Sequence, residues 1–459
     1  MSPASVRPPA DFVIRGGHIH ILDGDDTTVD ALAGSGGEII ALGEDAACAL
    51  IGPRTRMIEL DGRTAIPGVN DAHLHGAWLG ARWPRLFFGD EAASHHATGP
   101  LVDNEQERRT ALRRTWRLLS SLGITSYTEP GIGPGEDEGE TGCFGTAMLE
   151  TYLALHREKA QTSRVTLLRL FGAIDGESTL EAFERGIQEP TPDTDERWLA
   201  IPGVKIFADG IPPLGTAWVR DPYPDGSFGS VLTRGGASPE DALRRMITLA
   251  NARGLQVAAH ATGDRAIDEF VTVVEQIGAG GRRPHYVVHG DLISDDLIIR
   301  MRAAGMGVAI QPLIAAHSSE WASSQLGDER ARRAWPLATM LASGMLTTIT
   351  SDAPIATPDW RASLDAARAL LPGDDDRDRR RDLIRRITVE PARQDGAAWK
   401  GTLEPGKVAD LCILDVDPLE PGRAFADLSV EATVVDGRLV FERGVTPDVD
   451  AEPTGPLTR

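Results

Sequence analysis

The sequence predicts an α/β protein, a (β/α)8 TIM barrel with a small β-sandwich domain formed by both termini. Three observations carry that expectation. Eight apolar strand-like runs alternate with stretches of helical periodicity along the middle of the chain. Short strands punctuated by turn residues occupy both ends. The length, 459 residues, suits one large catalytic domain and a smaller companion.

Residues 1–67 read as the N-terminal part of the sandwich. "DFVIRGGHIH" alternates and breaks at Gly16-Gly17, "GEIIALGED" is a short strand, and "RTRMIELDGRTAIPG" gives two strands with Asp61-Gly62 as the turn between them. Residues 68–394 read as the barrel. Its strands are "AIPGVNDAHLH", "GITSYTEPG", "RVTLLRLFG", "GVKIFADG", "LQVAAHATG", "HYVVHGDL", "GVAIQP" and "LTTITSDAP". Between them, "EQERRTALRRTWRLLSSLG", "SPEDALRRMITLANARG" and "DRAIDEFVTVVEQIG" read as helices, the second opened by a Ser-x-x-Asp cap. "EPGIGPGEDEGETG" is expected to be a mobile loop, and "GIPPLGTAWVRDPYPDGSFGS" a lid or binding loop. "DDDRDRRRD" reads as a solvated helix start. Residues 395–459 return to short strands and complete the sandwich, with "GTLEPGKVADLCILDVDP" as strand, Pro-Gly turn and strand, and Asp436-Gly437 at a hairpin tip.

Composition narrows the function. A formal net charge of −21 argues against a nucleic-acid partner and against docking on anionic membranes. Cys48, Cys143 and Cys412 form no CxxC pair, which argues against a disulfide framework and a cysteine zinc site. No secretion signal and no run of roughly 20 apolar residues is legible. The expectation is a cytoplasmic enzyme acting on a small-molecule substrate.

The chemistry lies at the strand ends. His73 and His75 stand two apart at the end of the first barrel strand, where both imidazoles face one side. Lys205 lies in the fourth strand, His260 ends the fifth, His289 the sixth and Asp352 the eighth. Barrel enzymes build their active sites at that rim. Each residue alone has a bland alternative: a core histidine bonded to backbone, a lysine paired with a carboxylate, an aspartate capping the loop before Pro354. Together they point to a metal centre. Glu129, Gln311, His317 and Trp218 are candidate substrate-binding residues, with a loop salt bridge an equal alternative for Glu129 and a surface role the stronger one for His317. Asp209-Gly210 reads as a turn. His95, His96, Trp78, Trp83, Phe87 and Phe88 suggest an aromatic lid, with core packing slightly favoured; Tyr223 invites the same comparison as Trp218.

At these stretches, "PGVNDAHLHG", "VKIFADG", "HATGDRAID", "VVHGDLI", "SDAPI" and "GTLEPGKVADLCILD", the chain resembles the amidohydrolase superfamily, in its N-substituted formamide deformylase-like branch (amidohydrolase family 3). The resemblance implies two divalent metal ions, zinc first, with manganese, iron or cobalt also compatible. It implies His73 and His75 on the more buried ion and His260 and His289 on the more exposed one. Carboxylated Lys205 would bridge them, because an unmodified ammonium has no lone pair to give. Asp352 would bind the first ion and shuttle protons, so catalysis falls to Asp352 and His289. The implied reaction is hydrolysis of an amide, formamide or related C–N bond by metal-activated water, in a homo-oligomer, a dimer. Ester or lactone hydrolysis, deamination or decarboxylation on the same centre stays open, as does a silent relative used for binding or assembly.

Overall fold

The computed structural model describes residues 8–88, 100–278 and 281–445. The chain opens with β1 (Phe12–His20), β2 (Thr28–Ser35), β3 (Glu38–Leu42), β4 (Arg56–Glu59) and β5 (Thr64–Pro67). β1 passes Gly16-Gly17 without ending. It bulges there, with Gly16 at φ 79°, a conformation open to glycine. The expected hairpin at Asp61-Gly62 does not form. β4 and β5 both pair in parallel with β1, β4 along Phe12–Arg15 and β5 along His18–Ile19. The turn merely steps the chain from one half of β1 to the other.

The barrel strands follow: β6 (Val69–Asp71), β7 (Ile124–Ile132), β8 (Arg164–Leu170), then a two-residue β9 (Ser178–Thr179) outside the wall, β10 (Leu199–Phe207), a second outlying pair partner β11 (Thr233–Arg234), β12 (Gln256–Ala261), β13 (Tyr286–His289), β14 (Gly307–Ile310) and β15 (Leu346–Ile349). The eight wall strands run parallel in sequence order from β6 to β15. They are the eight runs read from the sequence. β16 (Leu411–Leu414), β17 (Val430–Val435) and β18 (Arg438–Glu442) then return to the first sheet, where β16 pairs antiparallel with β5. One eight-stranded sheet therefore holds strands from both the N-terminal and the C-terminal segments. β17 and β18 form the hairpin expected at Asp436-Gly437, both with positive φ.

The predicted helices form at 105–121, 239–252 and 264–277. Ser238 caps the second, accepting a bond from Asp241 N at 3.2 Å. The main core lies between the wall and these helices, and Leu168, Ala258, Tyr286, Val288 and Ala309 make a separate inner cluster. The acidic loop after β7 is tied down: Glu136 Oε1 accepts from Ile174 N at 2.6 Å, and Asp137 Oδ1 from Thr146 N at 2.6 Å. The charge run starts a helix at 377–385 and is solvated there, with Asp376, Arg377 and Asp378 exposed, but one residue near the end of the run is not. Arg380 is fully buried over the Phe425 ring and donates to Pro418 O and Arg423 O at 2.8 and 2.9 Å. It fastens the C-terminal segment.

A second buried arginine joins barrel and sheet. Arg164, first residue of β8, donates to both oxygens of Asp410 at 2.7 and 3.0 Å and to Asp436 Oδ1 at 3.1 Å. Its guanidinium also stacks on Trp198, 4.6 Å from the ring centre. Removing one partner of a buried ion pair strands the other charge, at about 3–5 kcal/mol. Arg164→Ala is therefore expected to lower the free energy of unfolding read from urea titration by an amount in that range, and an unchanged free energy would show that the junction is held by other contacts.

Candidate metal centre

β6 ends at Asp71, yet the chain stays paired on both sides through His75. Leu74 N donates to Thr128 O of β7 at 3.0 Å. On the other side Asp352 N donates to His73 O, and His75 N to Ala353 O, both at 2.9 Å. These bonds close the cylinder between its first and last strands at the carboxyl rim. They also keep strand-like alternation, so His73 and His75 point the same way. Asp352 Oδ1 lies 3.2 Å from His73 Nε2 and 3.4 Å from His75 Nε2.

His289 reaches the same point by another route. Along β13, Tyr286 and Val288 face the inner cluster while Val287 joins the outer core, so a regular strand would send residue 289 outward. Its φ of 74° turns it inward instead. Asp352 likewise sits at φ 57°. Such backbone costs of order 1 kcal/mol or more per residue and clusters at functional sites. One ligand atom each from His73, His289 and Asp352 lies within 4.8 Å of the others. The His260 ring centre is 4.6 Å from that of His289.

The outward nitrogens of two rings are occupied in opposite senses. His260 Nε2 bonds to Gly210 O at 3.0 Å, which leaves Nδ1 the lone pair. His289 Nδ1 bonds to Gln311 Oε1 at 2.8 Å, which leaves Nε2 the lone pair. Burial lowers the pKa of His73 to about 3 and that of His289 well below its usual value, so both rings are neutral donors. Burial alone would push the Asp352 carboxyl up, but the imidazoles of His73 and His75 hold it well below the ordinary range. Lys205 is 2% exposed, and burial lowers its amine to about 8 against the pull of Asp352 and Asp175. Neutral imidazoles around an ionised carboxylate, with the His260 Nδ1 and His289 Nε2 lone pairs left free, fit a divalent first-row cation.

The remaining site residues expected from the sequence divide differently. The Gln311 side chain is engaged within the wall: its amide nitrogen is taken by Ala309 O and Thr350 Oγ1 at 3.1 and 2.8 Å, and its oxygen by His289. Glu129 is fully buried beside His75, on the strand face it shares with Tyr127. Trp218 is buried, 5% exposed, with Arg265 4.4 Å over its ring. Tyr223 is similarly buried, its hydroxyl bonded to Ala217 O at 3.1 Å. His317 is exposed and stacks on Phe88 at 5.0 Å. Trp78 packs between Phe87 and Phe144, edge-on to His75. His95 and His96 lie outside the described residues.

Three carboxylates were missed, all buried and all raised to about 7 by desolvation. Asp71 Oδ1 accepts from His73 N and Ser351 N, both at 3.2 Å, across the closing seam. Asp209, read as a turn, accepts from Trp218 N, Thr262 N and Gly263 N at 2.8–3.0 Å and so holds the Gly210 carbonyl beside His260. Asp291 accepts from Trp335 Nε1 at 3.0 Å. The signal was present: each lies two to four residues from a ligand-type residue at a strand end.

Comparison with known proteins agrees with this geometry. The profile of the amidohydrolase family matches residues 88–441. YtcJ of Bacillus subtilis is 27% identical over 253 residues, 52% of this chain and 47% of that protein, so the chain matches about half the length of that relative. The N-substituted formamide deformylase of Arthrobacter pascens is 27% identical over 201 residues, 41% of this chain and 37% of that enzyme. Among solved structures, an uncharacterized metal-dependent hydrolase from Pyrococcus furiosus superposes with a TM-score of 0.70 at 20% identity, over 89% of this chain and all of the other.

The Gln311–His289 bond is the kind of outer contact whose loss weakens metal sites about 10- to 100-fold. Gln311→Leu is expected to lower zinc affinity by that factor in a chelator competition while every candidate ligand remains. Unchanged affinity would mean that the ring is oriented by packing alone.

Proposed function

The chain belongs to the amidohydrolase family, and from that premise we propose that this metal-dependent hydrolase cleaves a carbon–nitrogen bond other than a peptide bond, in a small amide or formamide. The observation that carries the reading is the convergence of His73, His289 and Asp352, with His75 3.4 Å from the same Asp352 oxygen. The likeness to the formamide deformylase supports the bond class. The catalytic unit in this reading is the barrel of residues 68–394.

In this reading His73, His75 and Asp352 would hold one divalent ion, zinc by preference, and His260 and His289 would hold a second. Lys205 would bridge them as a carbamate, formed when its neutral amine adds dissolved carbon dioxide and releases a proton; its buried amine, with pKa lowered to about 8, supports that reading. When bound, the ions supply Lewis acidity and bring the pKa of water toward neutrality. Asp352 Oδ1, between the two imidazoles, takes the proton of the attacking water and returns it to the leaving nitrogen. The closed rim and the packed Trp78, Phe87 and Phe144 rings limit bulk water beside His75.

Asp352→Asn keeps the shape and removes the proton acceptor. It is expected to keep bound metal and lose about 10²- to 10⁴-fold in kcat, measured on a panel of N-substituted formamides, amides, esters and lactones with metal content read in parallel. Near-full activity of the variant would refute the role of Asp352. Turnover confined to esters or lactones would refute the bond class.

A further inference from the structure

Four buried side chains form a hydrogen-bonded line that ends behind His75. Trp116 Nε1 donates to Tyr127 Oη at 3.3 Å, Tyr127 and Tyr152 share a bond at 3.0 Å, and Tyr152 Oη donates to Glu129 Oε2 at 2.7 Å. An indole N–H only donates and an ionised carboxylate only accepts, so every hydroxyl proton in the line points toward Glu129. Ala77 N, in the first turn of the helix after His75, adds a bond to the same Oε2 at 3.1 Å. Gly76 permits the approach: a Cβ there would sit 2.7 Å from the Tyr127 ring. Glu129 Oε1 is left buried with no partner, and so is His75 Nδ1, 3.8 Å away. An unpaired acceptor and an unpaired ring nitrogen face each other, and each costs free energy while unmet.

We infer that Glu129 is a positioning residue that takes the Nδ1–H of His75 and so keeps the Nε2 lone pair on the metal side, with Tyr152 and Tyr127 fixing the carboxylate for that contact. The inference rests on the reading of His75 as a ligand. Glutamine at 129 would keep the Tyr152 and Ala77 bonds through its amide oxygen and present an N–H to His75, favouring the opposite tautomer.

Cobalt(II) binding to the full chain, read by chelator competition and by the visible d–d spectrum, tests this. Glu129→Gln is expected to bind cobalt about 10- to 100-fold more weakly with an altered spectrum, while the melting temperature of the metal-free protein stays near wild type. Tyr152→Phe, which keeps the charge and frees its direction, is expected to weaken binding in the same sense by less. Wild-type affinity and spectrum in both variants would overturn the role of Glu129. Absence of cobalt binding by the unmodified chain would overturn the ligand reading of His75 and this inference with it.

Discussion

The closing seam of the barrel governs the rest of the site. A parallel cylinder is complete when its last strand bonds to its first, and here those bonds run through His73, His75, Asp352 and Ala353. The residues that finish the cylinder are the candidate ligands or their neighbours. Folding the wall therefore brings two imidazoles and a carboxylate together. Asp71 reinforces the seam from within, bonding backbone N–H groups on both sides of it. Distant parts of the chain are forced into register there, because a slip of one residue would turn both histidines away.

That arrangement places several carboxylates in a dry setting. Asp71, Glu129, Asp209 and Asp291 are all buried, and burial raises the pKa of each. An unpaired buried charge is costly, and these are stabilised by directed donors rather than by arginine or lysine. Most of the donors are backbone N–H groups of the loops that carry ligands. Each acid thus exchanges desolvation for fixed loop geometry. The left-handed backbone at His289 and Asp352 belongs to the same account: the surrounding contacts hold conformations that the residues would not choose alone.

Much of this was legible in the sequence. The eight strands announced themselves as apolar runs ending in polar residues, and the ligand candidates stood at those ends. What lay beyond reading was which way a side chain faces once the barrel curves. Glu129 and Gln311 sit at strand ends like the ligands, yet one lies on the strand face it shares with Tyr127 and the other is bonded to His289. Trp218 lies in a loop rich in Pro and Gly, but Asp209 pins that loop and buries the ring. The Asp61-Gly62 turn misled for a related reason, since local turn chemistry does not say which strand a neighbour will pair with. Burial of Arg164 and Arg380 was hidden because an arginine reads the same in sequence whether it is solvated or enclosed.

The most direct test of the account is anomalous X-ray scattering from crystals of the metal-loaded protein, recorded across the absorption edge of the ion. The account predicts a peak at the barrel's carboxyl rim about 2.0–2.2 Å from His73 Nε2, His75 Nε2 and an Asp352 oxygen. A peak confined to surface acids, or a rim where those three side chains bind nothing while the crystals contain metal elsewhere, would contradict it.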